Sequence, residues 1–125
     1  MKLILPGLTL ALLLTLTFPA QATMTLGSLT ITKVACRIFT PNGDHFNDKA
    51  RFELDNPEQL PVGGTVYDLS GARVASLQPG TGTAAVDVLL WDGKNGDGQV
   101  VAGGIYIYDI DFQGKHATGT VVVAK

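Results

Sequence analysis

Four oxygen-bearing side chains, Asn42, Asp44, Asn47 and Asp48, crowd into the short segment Pro41-Asn42-Gly43-Asp44-His45-Phe46-Asn47-Asp48. Oxygen ligands on a flexible loop are what a hard cation such as Ca²⁺ selects, so these four are the candidate metal ligands of the chain. The fit to a helix-loop-helix calcium loop is poor. Counted from Asn42, Asp44 falls at the third position and Glu53 at the twelfth, but Phe46 takes the fifth and Asn47 stands where glycine is required. The same spacing serves a turn in which Asn and Asp side chains accept hydrogen bonds from their own backbone. The residues alone leave both readings open. In Asp92 to Gly98 the side chains of Asp92, Asn95 and Asp97 could also converge on a cation. Chain reversal explains that stretch more simply, because each is followed by Gly in Asp92-Gly93, Asn95-Gly96 and Asp97-Gly98.

Nucleophilic chemistry has little to work with. Cys36, His45 and Asn47 make a thiol triad on paper, but a triad is defined in space and not by nearness in sequence. His45 and His116 have no neighbours at metal-ligand spacing, and no Gly-x-Ser-x-Gly elbow surrounds Ser28, Ser70 or Ser76. No enzymatic activity and no resident cofactor other than Ca²⁺ is expected. Cys36 is the only cysteine, so a disulfide within the chain is excluded. It shares an alternation phase with Val34 and Ile38 and reads as a small buried apolar residue, the alternative being an intermolecular disulfide. Trp91 is expected in the core or at its rim; exposed beside its polar loop, it would stack on sugar instead.

The elements that must position these residues follow a leader. Met1-Lys2, an uncharged apolar run from Leu3 to Phe18 and the small-x-small triplet Ala20-Gln21-Ala22 are a secretory signal peptide, residues 1–22, cut after Ala22. The apolar run is too short to span a bilayer. The expectation is a secreted or periplasmic protein with no membrane span after processing and one domain, residues 23–125. Loss of Lys2 leaves eight basic against eleven acidic side chains. A weakly acidic surface offers nucleic acid no footprint.

Ser28 to Val34 and Cys36 to Phe39 read as extended. Ala50, Phe52 and Leu54 face one way and Arg51 and Glu53 the other. Val62 to Leu69 and Ala72 to Leu77 flank Ser70-Gly71 as a hairpin. From Ala84 to Trp91, the residues Ala84, Val86, Val88 and Leu90 form one face, with Asp87 opposite. From Ile105 to Phe112 the inward face is Tyr106, Tyr108, Ile110 and Phe112, and Ala117 to Ala124 is a last strand. About seven short antiparallel strands without a convincing helix give an all-β sandwich.

Two stretches together carry a family resemblance. Val66-Tyr67-Asp68-Leu69-Ser70-Gly71-Ala72-Arg73-Val74, and Trp91-Asp92-Gly93 through Gly98, Val100 and Gly103-Gly104 to Ile105-Tyr106, resemble the paired motifs of the FlgD-type Ig-like domain. The Thr40 to Asp48 loop is similar to a segment of related modules, among them gliding-motility-associated C-terminal domains. The likeness spans Ile38 to Val123. It implies an Ig-like β-sandwich without catalytic residues, used as a structural, adhesive or sorting appendage of bacterial proteins. His45 departs from it, standing where the related loops carry Gly. Protein-protein contact at the cell envelope or outside it, by self-association or with another protein, is the leading expectation; sandwich edges carry unpaired backbone groups, and the last strand, Thr118 to Lys125, with no polar tail after it, is the candidate pairing edge. A Ca²⁺- or carbohydrate-binding module is the alternative. A flagellar hook-cap-like scaffold is a further one, which the leader disfavours.

Overall fold

The computed structural model describes residues 23–125, and the expected leader lies outside them. Ten strands follow in order: β1 Met24–Leu26, β2 Leu29–Ala35, β3 Ile38–Phe39, β4 Ala50–Asp55, β5 Gly63–Tyr67, β6 Arg73–Ser76, β7 Gln78–Pro79, β8 Val86–Trp91, β9 Gly104–Phe112 and β10 Lys115–Val123. They form two open five-stranded sheets, ordered β1-β2-β4-β8-β7 and β3-β10-β9-β5-β6. The two-sheet, all-β expectation holds for the described residues. Among them, no helix is long and apolar enough to cross a membrane.

Alternation builds the core. Ala50, Phe52 and Leu54 of β4 are buried, and so are Tyr106, Tyr108, Ile110 and Phe112 of β9. The Phe52 and Tyr108 rings meet across the two sheets at 4.7 Å. Most strands bury one face, which is why two sheets are needed; in β8 both Val88 and Leu89 are buried.

Three readings are corrected. The described residues form ten strands, and β3 runs parallel to the end of β10, with Ile38 beside Val122 and Phe39 beside Val123. The pieces missed, β1 and β7, are too short to show a period. In β8 the inward face is the other one: Phe52 pairs with Leu89 and Ala50 with Trp91, so Leu89 and Trp91 join the core and Asp87 shares their side. Asp87 is tolerated there because the amide of buried Asn56 donates to its Oδ2 at 2.7 Å. Cys36 is half-buried and lies between strands with φ +57. That left-handed residue breaks the alternation as the chain changes sheets, so Phe39 turns inward and Ile38 is 66 % exposed.

The turn between β9 and β10 was also passed over. Gln113 (φ +52) and Gly114 (φ +78) form a two-residue connection with both φ angles positive, the geometry of a type I′ turn. Asn tolerates the left-handed region better than Gln. Gln113→Asn is therefore expected to stabilise the domain by about 0.5 kcal/mol, a rise of roughly 3 °C in calorimetry.

Candidate functional site

Two loops leave the sandwich at the same end. One joins β3 to β4 and carries the four candidate ligands; the other joins β8 to β9. Trp91, at the mouth of the second, is 1 % exposed. Its ring meets Phe39 at 5.6 Å and Tyr106 at 5.2 Å, both near edge-on, and its indole N–H donates to the Lys94 carbonyl at 2.9 Å. A buried Trp cannot stack on sugar. The loops touch at Gly93, where a Cβ would come within 2.8 Å of the Pro41 ring; Gly93 also has φ +77. Sequence segments some fifty residues apart thus share one surface.

In the first loop the oxygens turn on the chain itself. Asp48 Oδ1 accepts the N–H groups of Asn42 (3.1 Å) and Gly43 (3.0 Å), and Oδ2 accepts that of His45 at 2.7 Å. Asn42 Oδ1 takes the Asp44 N–H, and Asp44 Oδ1 that of Phe46. Asn47 Oδ1 accepts the Cys36 thiol at 3.4 Å. The structure therefore gathers all four predicted residues into one loop and points an oxygen of each at a protein donor. Burial pulls the Asp48 carboxyl upward, but the three backbone N–H groups outweigh it and hold its pKa below the ordinary value. His45 does adopt φ +69, and Asn47 φ +50.

The second loop uses the same device. Asp92 Oδ1 accepts the Lys94 N–H, and Asn95 Oδ1 those of Asp97 and Gln99. The Gly96 N–H reaches the Val74 carbonyl of β6, tying the loop to the opposite sheet. A cap the sequence reading passed over is Asp68, whose Oδ1 accepts the Ser70 N–H, the Ser70 hydroxyl and the Ala72 N–H. The Ser70 hydroxyl and then the Ala72 N–H lower its pKa against desolvation. Its signal was present: an Asp two residues before Ser-Gly is an Asx-turn pattern.

The thiol triad is not assembled. Cys36 meets Asn47, but its thiol makes no hydrogen bond with His45 among the described residues. His116 pairs with Asp109 at 3.0 Å on the outer face of the second sheet. Among the described residues no three His, Cys, Asp or Glu side chains group as a metal site. Comparison with protein-family models, curated proteins and solved structures gives no match to this chain.

This geometry favours the backbone-turn reading of the Asn42 to Asp48 loop. Asp48→Ala is expected to lower the melting temperature by several degrees, equally in chelator and in millimolar CaCl₂. A wild-type melting temperature that rises with Ca²⁺ would instead assign the loop to metal binding.

The lowered carboxyls also fix a pH dependence. A carboxylate held below its unfolded-chain value, about 3.9, contributes stability that is complete above that value and lost as pH falls through the folded one. Melting temperature is expected to fall below about pH 4. An Asp48→Asn, Asp68→Asn variant should start lower and fall less steeply in thermal melts from neutral pH to pH ~3.

Proposed function

We propose that this chain is a secreted or periplasmic, non-catalytic module of the FlgD-type Ig-like class, working by protein-protein contact in the cell envelope or an extracellular assembly. The observation that carries the reading is an apolar row on the outer face of the second sheet. Ile38 of β3, Val122 of β10 and Ile105 of β9 are register partners, so their side chains stand together at one level. Ile38 is 66 % and Ile105 47 % exposed. Ile107 and Tyr67, paired with each other, extend the row along β9 and β5. Contiguous apolar side chains on a solvent-facing sheet support a surface used for contact with another protein.

The family part of the reading is supported by what its residues do. Trp91, Gly93 and Tyr106 lock one loop, the Tyr106 hydroxyl donating to the Ala102 carbonyl at 2.7 Å, and Asp68 with Gly71 closes the hairpin. These are framework tasks, as a module used for its surface requires.

Ile38→Thr with Ile105→Thr tests the reading. Both residues are exposed, so melting should shift by only a few degrees. Burying two isoleucines contributes roughly 1.5–3 kcal/mol each, so association with the host's envelope fraction, read by co-sedimentation, should fall by more than tenfold. A wild-type protein that stays monomeric in light scattering and binds nothing in that fraction would defeat the proposal.

A further inference from the structure

β3 covers only the end of β10. The Val122 N–H donates to the Arg37 carbonyl at 2.6 Å, and the Ala124 N–H to the Phe39 carbonyl at 2.8 Å. Alternation turns the N–H and C=O groups of Thr120, Thr118 and His116 to that same side, and no strand of the described residues pairs there. The Thr120 carbonyl is met by the Arg37 guanidinium, at 3.4 and 3.5 Å. On the facing sheet, β1 pairs with β2 only from Leu29 to Ile31, so Thr32 to Ala35 lack a neighbour strand on the same flank.

Between these two open edges lies a groove of about 370 Å³. Met24, Ile31 and Val34 supply apolar walls, Lys33 and Arg37 supply positive charge, and Tyr108 lies at its floor. No carboxylate lines it, although the chain carries more acidic than basic side chains. Gly119 makes the floor possible. It faces inward opposite Tyr108, and a Cβ there would collide with the Tyr108 ring and hydroxyl. Tyr108 is 2 % exposed and lines the groove. Burial raises the phenol's pKa although Arg37 opposes this, so the hydroxyl stays a donor at neutral pH. The Tyr108 ring is buried and forms part of the groove's lining, so a side chain entering the groove would rest against it.

We propose that this groove accepts a strand: an extended segment of another protein, alternating apolar and acidic residues, pairs along His116 to Thr120 of β10. Its backbone completes the open edge, an apolar side chain lies over Tyr108 between Met24, Ile31 and Val34, and its carboxylates meet Lys33 and Arg37. The open-side N–H groups of His116, Thr118 and Thr120 and the carbonyls of His116 and Thr118, at strand spacing, call for a peptide, whose acidic side chains the two cations favour and whose N–H would take the place of Arg37 at the Thr120 carbonyl. The inference rests on the protein-contact reading and names a site and partner chemistry for it.

The probes are two blocked heptapeptides, one alternating valine with glutamate and one alternating valine with lysine, titrated into the protein with NMR amide exchange as the readout. The glutamate peptide is expected to slow exchange at Thr118 and Thr120 by about tenfold or more, and the lysine peptide to leave it unchanged. Thr118→Pro removes an edge N–H where proline is tolerated and should weaken binding about tenfold. Arg37→Glu should reverse the preference between peptides. Absence of glutamate-dependent protection overturns the site. A wild-type dimer in light scattering that Thr118→Pro abolishes also overturns it, giving the edge to a second copy. Photo-cross-linkers placed at Thr118 and at Ile38 in host cells separate the two readings. Cross-links to another protein from Thr118 support the groove. Cross-links from Ile38 alone overturn the groove and leave the contact reading standing, and none from either overturns both.

Discussion

A single buried indole constrains much of this molecule. Trp91 lies between Phe39 of one sheet and Tyr106 of the same sheet's central strand, while belonging itself to the opposite sheet. Placing Trp91 inside fixes the phase of β8, because residues two apart share a face. Leu89 and Asp87 must then follow it inward. The cost of an inward carboxylate is met by Asn56, whose amide bonds both Asp87 and the Leu60 carbonyl. The indole N–H needs an acceptor too, and only a tight reversal can bring the Lys94 carbonyl back to it. Gly93 with its positive φ and the Asp92 carboxylate at the Lys94 N–H make that reversal. Gly93 then lies flat against Pro41, which brings the first loop into register with the second.

The sandwich manages its edges unevenly. β1 has three residues, and β3 and β7 have two each, with Pro79 in β7 unable to donate. Short edges of this kind discourage chance pairing. β10 is different: nine residues long, it is hydrogen-bonded along its whole length on one side and paired along only two residues on the other. The crossing at Cys36 and Arg37 that ends β2 and starts β3 leaves that gap, and Gly119 hollows out the wall beside it. The open flank therefore follows from the sheet switch itself.

How far the sequence could be read depended on which signal was local. β4 and β9 were legible because their alternation is uninterrupted and the aromatic face of β9 has no rival. β8 was misread because Asp87 looked like a solvent marker; a buried Asn elsewhere in the chain reverses that inference, and no periodicity reveals it. Cys36 failed for a backbone reason, since one left-handed residue shifts every later side chain to the other face. The β9–β10 hairpin escaped notice because Gln-Gly is a weak turn signal beside Asn-Gly or Asp-Gly. The Asn42 to Asp48 loop was legible as either a cation site or a self-bonded turn, because a cation and a row of backbone N–H groups ask for the same oxygens.

That last ambiguity bears on function. The motif residues Trp91, Gly93, Asp68 and Tyr106 and the Asx loop are spent on hydrogen bonds and ring contacts within the molecule. Such residues can recur wherever the same loops must close, whatever the module does. The surface that would meet a partner uses other positions: Ile38, Lys33, Arg37 and Thr118, and Ile105 between Gly104 and Tyr106. The framework leaves these free to vary, since none of them supports the Trp91 cluster. Whatever the domain does at its surface is therefore more free to differ at the flank and outer face of the second sheet, where exposed isoleucine and open strand edge stand side by side, than in the loops that close the sandwich.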